Sequence, residues 1–237
     1  MIGIIIILIV SWALLYLLQK KNLCVLGIFP IKKRVLQGIL GFFFALLLNG
    51  LMVFIYSEIA QQTWSAQPSI LISEIAVSFW FHLKSALYEE LLFRGAILYI
   101  LLARLKATYA LLISSAAFGV YHWFSYGMLG GSIIPLVYIF VITGFMGYAW
   151  GYSYVKTKSI ALALGMHLGW NYLTTLCLDG NPYGELVFAS TGGSVLSNTM
   201  GTIISILKGI VPPIIVLVFV KYYTRNKKPK PVSTDFG

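Results

Sequence analysis

The sequence predicts an all-α protein, a polytopic transmembrane helical bundle of about seven spans. Three observations predict it. Of 237 residues, 59% are hydrophobic and 10% charged, with a mean hydropathy of +0.87, a balance that excludes a soluble domain of this length. Apolar runs long enough to cross the ~30 Å hydrocarbon core recur along the chain. None of them alternates with period two, which excludes barrel strands and leaves helices as the way to satisfy the backbone in lipid.

The first run, at about 2–18, could be mistaken for a secretory signal, but only the terminal amine precedes it, Lys20 and Lys21 follow it, and no small-residue cleavage site is evident. It is expected to stay as a transmembrane helix. The second run lies at 35–56 and the third, at 70–103, carries most of the intramembrane charge. Short connections at 104–107 and 152–158 make antiparallel neighbours of the third and fourth (108–124) runs and of the fifth (132–151) and sixth (159–176). The Gly-rich segment 177–200 is the longest loop, and the seventh run follows at 201–220. No composition shift divides residues 1–225, which are expected to form one domain, followed by a basic, disordered tail at 226–237. No internal repeat suggests a transporter built from two halves.

Alternate connections collect the basic residues. One set holds Lys20, Lys21, Lys32, Lys33 and Arg34, then Arg104 and Lys106, then Lys156 and Lys158, then Lys221, Arg225, Lys227, Lys228 and Lys230. The other set, at about 57–69, 125–131 and 177–200, has no Lys or Arg. By the positive-inside rule the N-terminus is outside and the C-terminus cytoplasmic, with localisation as a multi-pass protein of the cell membrane. The formal net charge of +10 then reflects topology and attraction to an anionic lipid bilayer, with no nucleic-acid partner. Cys24 and Cys177 fall on opposite sides and cannot bridge, so no disulfide framework is implied. Gly147 with Gly151 and Gly165 with Gly169, each four apart, fit close helix packing.

A charged group at bilayer depth costs about 2.5–3.5 kcal/mol on insertion scales and needs a partner or a purpose. Three polar clusters lie in apolar runs: Tyr88-Glu89-Glu90-Leu91-Leu92-Phe93-Arg94, Phe118-Gly119-Val120-Tyr121-His122, and His167-Leu168-Gly169-Trp170-Asn171. On a helix Glu90 and Arg94 share a face and pair, whereas Glu89 lies about 140° around from Arg94 and is left free. The turn after the third run is centred near residue 105 or 106, which puts Glu89 level with His122 on antiparallel helices. His167 and Asn171 share a face of the sixth run and join the same cavity if helices tilt or the third span kinks.

A carboxylate beside a histidine can activate water, while a second histidine and an amide can donate to the oxyanion formed when water attacks a carbonyl. Glu89, His122 and His167 are equally a possible zinc set, and spacing alone does not separate the two chemistries. His82 and Lys84 are expected at the interface or cavity mouth, Glu74 and Lys208 near the outer rim, and the tryptophans in interfacial belts and packing.

Taken together, Glu89-Glu90-x-x-x-Arg94, Phe118-x-x-x-His122 and His167-x-x-x-Asn171 resemble the signature of the CAAX-protease and bacteriocin-processing family of membrane proteins, related to the Ras converting enzyme. The resemblance covers about residues 70–177. It implies an intramembrane endopeptidase acting on a membrane-associated protein or peptide substrate. Glu89 with His122 would activate water, His167 with Asn171 would stabilise the oxyanion, and Glu90, Arg94 and Phe118 would support them. A metal-free mechanism without cofactor is expected, with zinc on Glu89, His122 and His167 as the alternative. Seven runs, one fewer than usual for the prenyl-protein proteases, suggest a shorter, bacterial-type member with its substrate open. Two other readings are a non-proteolytic scaffold or bacteriocin self-immunity protein of the same fold, and a proton-coupled transporter using the carboxylates as a relay.

Overall fold

The structure, a computed structural model, describes residues 2–180, 182–194 and 196–225. The expected tail at 226–237 lies outside the described residues. In chain order the helices are α1 (Ile2–Gln19), α2 (Ile31–Ala60), α3 (Ile72–Glu90), α4 (Leu98–Arg104), α5 (Ala107–Ser125), α6 (Ile133–Thr157), α7 (Ala161–Cys177) and α8 (Asn198–Thr224). A 3-10 turn at Leu23–Leu26 precedes α2, and a π-helical segment, Leu91–Ile97, joins α3 to α4. Each apolar run of the sequence has become helix.

Among the described residues, four helices are long and apolar enough to cross a membrane: α1, α2, α6 and α8, with hydropathies of 2.5, 2.4, 1.8 and 2.5. The count of seven spans therefore goes beyond what length and composition establish. The cause is the polar site itself. Helix α3 carries Glu74, Lys84, Glu89 and Glu90, and the 17-residue α7 carries His167 and Asn171, so the segments that hold the chemistry are the least lipophilic.

The all-α expectation holds apart from one small sheet. Strands β1 (Gln62–Ala66) and β2 (Phe188–Gly192) pair antiparallel, Gln62 opposite Gly192 and Ala66 opposite Phe188. Neither strand has an alternating apolar pattern, so nothing local announced it. The sheet ties the α2–α3 connection to the loop between α7 and α8, and the Thr63 hydroxyl adds a 3.0 Å bond to the Thr191 carbonyl.

The third apolar run is one stretch in sequence but not one straight helix. At Gly95 the backbone leaves helical geometry (φ −75, ψ −120) inside the π segment, a distortion found mostly at functional sites. A carbonyl released there must still be satisfied. The buried Ser114 hydroxyl of α5 donates to the Phe93 carbonyl at 3.0 Å.

The main core gathers Phe93, Phe118, Met146, Trp150, Leu162 and Met166 with residues of α2 and α8. Its tightest seam is between α2 and α7. A Cβ on Gly165 would stand 2.1 Å from the Gly38 carbonyl oxygen, and one on Gly169 2.1 Å from that of Phe42. These two glycines let the backbones touch, and they bracket His167, fixing its depth and rotation.

Candidate active site

Helix α3 delivers Glu89 and Glu90 immediately before the π segment, α5 delivers Phe118 and His122 one turn apart, and α7 delivers His167. All five are buried, Glu90 at 0% exposure, and Arg94 of the π segment is buried with them at 1%. An isolated charge at such a position is prohibitive, so the partners of each group matter.

The expected pair is present: Arg94 Nη1 donates to Glu90 Oε1 at 3.1 Å. Arg94 Nη2 donates to the Gly147 carbonyl at 3.0 Å, and the guanidinium lies 4.3 Å from the Phe118 ring centroid and 5.5 Å from that of Trp150. Two hydrogen bonds and two aromatic faces make the cation tolerable. Gly147 thus serves Arg94 as well as packing: a Cβ there would come within 2.8 Å of the Phe118 ring.

Glu90 has a second partner that the sequence did not reveal. His167 Nδ1 lies 2.9 Å from the same Oε1, so the ring donates from Nδ1, since a carboxylate oxygen accepts. Its other nitrogen, Nε2, faces Glu89 Oε2 at 3.7 Å. His167 therefore stands between the two glutamates, and Trp150 stacks on it at 4.1 Å with 23° between planes. Glu89 Oε2, Glu90 Oε2 and Arg94 Nε are buried without a hydrogen-bond partner among the described residues.

His122 is fixed in the same manner. Its Nδ1 donates to the Phe118 carbonyl at 2.8 Å, which leaves Nε2 with a lone pair in the neutral ring. Its ring meets Phe118 edge-on at 4.5 Å.

These groups converge on one cavity of about 460 Å³, whose wall includes Glu89, His122, His167 and Asn171. Glu90 and Arg94 lie behind that wall, not on it. The cavity also takes in His82, bonded to the Thr175 hydroxyl, and Lys208. The sequence placed His82 at the interface or cavity mouth and Lys208 near the outer rim, and the structure puts both on the cavity wall. Their signal was available: a histidine seven residues before Glu89 and a lone lysine inside an apolar run.

The zinc alternative can be tested against the same geometry. His167 directs Nδ1 to Glu90 and His122 directs Nδ1 to the Phe118 carbonyl, which leaves Nε2 of each ring toward the cavity; among the described residues no group of three or more His, Cys, Asp or Glu side chains is gathered closely enough to hold a metal ion.

Fold and site together define a helical membrane-type protein with a glutamate–histidine–arginine centre facing an internal cavity. Residues 71–173 match the model of the family described as type II CAAX prenyl endopeptidase, Rce1-like. The matched segment contains every residue of the centre. Neither the curated proteins nor the solved structures include a significant match.

Proposed function

We propose that the chain is an intramembrane endopeptidase that hydrolyses a peptide bond in a membrane-associated protein or peptide. The observation that carries this reading is the placement of Glu89 and His122 on the wall of one cavity with His167, while Glu90 and Arg94 brace the site from behind. The family match supports peptidase activity in general, and the residue roles that follow are our own assignment.

A water molecule seated against Glu89 gives its proton to the carboxylate as its oxygen attacks the carbonyl carbon of the scissile bond. His122, with Nδ1 held by the Phe118 carbonyl, offers the Nε2 lone pair as the second acceptor that orients this water. The carbonyl oxygen becomes an oxyanion, to which Asn171 and His167 Nε2–H donate. His167 acts there as an imidazolium, because Nδ1–H is already given to Glu90. As the C–N bond breaks, the proton taken by Glu89 passes to the leaving amine. No step passes through a metal.

The reading extends to a multi-pass topology in which α3, α5 and α7 also cross the bilayer, with the basic connections cytoplasmic. The decisive experiment incubates detergent-purified protein with a panel of membrane-tethered peptides. Cleavage by the wild type and none by a folded Glu89→Ala protein is the expected result. Cleavage by Glu89→Ala at the wild-type rate would sink the mechanism.

A further inference from the structure

We propose that Lys208 is a specificity-determining residue of this cavity that takes a carboxylate of the substrate, either a C-terminal carboxylate or an Asp or Glu side chain. The inference rests on the peptidase reading and deepens it by assigning a charge to the bound peptide.

Lys208 lies ten residues beyond Asn198, a rise of about 15 Å into α8. No other Lys, Arg, Asp or Glu interrupts α8 before Lys221. A cation at such depth is expensive and calls for a partner. Arg94, the cation behind the cavity wall, has one in Glu90. Lys208 has no acidic partner among the described residues, and its ammonium lies 3.6 Å from the centroid of the Tyr56 ring.

The position of that ammonium gives it a use. Lys208 belongs to the wall of the 460 Å³ cavity and also to a second, mostly polar cavity of about 380 Å³ beside Tyr56, Ser194 and Ser205. The two cavities meet at this side chain. A lysine that merely extended its head to water would account for the second cavity alone. A peptide bound across Glu89 and His122 would run toward a half-buried ammonium whose strong hydrogen bonds remain to be made. A carboxylate is the anion that a peptide carries, and one charge matches one charge.

The test measures binding separately from cleavage. N-acylated fluorescent decapeptides of one sequence are titrated onto Glu89→Gln protein in detergent micelles: one with a free C-terminal carboxylate, one amidated and without acidic residues, and one amidated with a single Glu near the end. At least one carboxylate peptide should bind about tenfold more tightly than the neutral one, the scale of a charge-assisted hydrogen bond. Adding Lys208→Met should abolish the difference, Lys208→Arg should keep it, and Lys208→Glu should reverse it. Which acidic peptide gains affinity identifies the source of the carboxylate. Equal binding of all three peptides, no binding of any, or a difference that survives Lys208→Met would overturn the proposal. Wild-type cleavage of acidic and neutral peptides alike would do so while leaving the peptidase reading intact. An intact affinity difference without any wild-type cleavage would instead overturn the peptidase reading.

Discussion

Glu90 and His167 stand 77 positions apart in the chain and 2.9 Å apart in the fold, joined through the carboxylate oxygen that also receives Arg94. One buried atom therefore anchors both the ion pair and a histidine on the cavity wall. Neutralising that carboxylate strands a cation, and such a break costs about 3–5 kcal/mol. Glu90→Gln should lower unfolding stability in detergent by that order and abolish cleavage. Combining it with Arg94→Met should recover much of the stability and none of the activity, because His167 still lacks its carboxylate. Recovered activity in the double variant would show that Glu90 acts only through Arg94.

Glu89 and His122 face the cavity without holding the fold together. Glu89→Gln and His122→Ala are expected to lower the cleavage rate by about 10²–10⁴-fold, the usual range for acid–base groups. Thermal unfolding should stay close to wild type. Equal losses of rate and stability would mark both residues as structural.

Gly165 sits where a Cβ would strike the Gly38 carbonyl, whereas a Cβ on Gly201 would meet nothing within 4 Å. Gly165→Ala should cost about 1–3 kcal/mol through overpacking and should shift His167, so activity falls with stability. Gly201→Ala should be neutral or slightly stabilising, since alanine is the better helix former. Denaturation of the two purified variants compares them directly.

On the metal-free mechanism proposed above, cleavage should proceed at an unchanged rate in the presence of a chelator. Loss of activity on chelation, with recovery on adding zinc, would require Glu89, His122 and His167 to rearrange into a ligand set and would replace the metal-free mechanism.

The two cysteines report topology. Cys24 is exposed beside the basic end of α2, and Cys177 is partly accessible at the end of α7. A membrane-impermeant thiol reagent applied to intact cells should reach Cys177, and Cys24 only after permeabilisation. The reverse pattern would invert the proposed orientation.

What the sequence revealed were relations set within one helix or across one short turn. Glu90 with Arg94 is a four-residue spacing on a single element. Both glutamates and His122 follow from a hairpin whose turn is only a few residues long, and the structure does put Glu89 and His122 on one cavity wall. The clasp of Glu90 on His167, the stacking of Trp150 on His167 and the β1–β2 ladder each join segments far apart in the chain. No local pattern encodes such pairs, since they depend on how helices cross. That Lys208 lines the cavity was illegible for the same reason: it follows from the packing of α8, which its spacing in the chain does not reveal. A kink in the third span was foreseen only as an option and without a position, because a glycine such as Gly95 permits a bend without requiring one.

That break has a consequence for how the protein can fail. The wider winding of Leu91–Ile97 changes the angular phase between the two halves of the third apolar run, so the face carrying Glu89 and the face packed through Leu98 are not those of a regular helix. A substitution that restored regular winding there while keeping every residue would rotate one side against the other, so that Glu89 and Leu98 could not both keep their faces. It would be an uncommon lesion, one that perfects a secondary structure and disables the molecule by doing so.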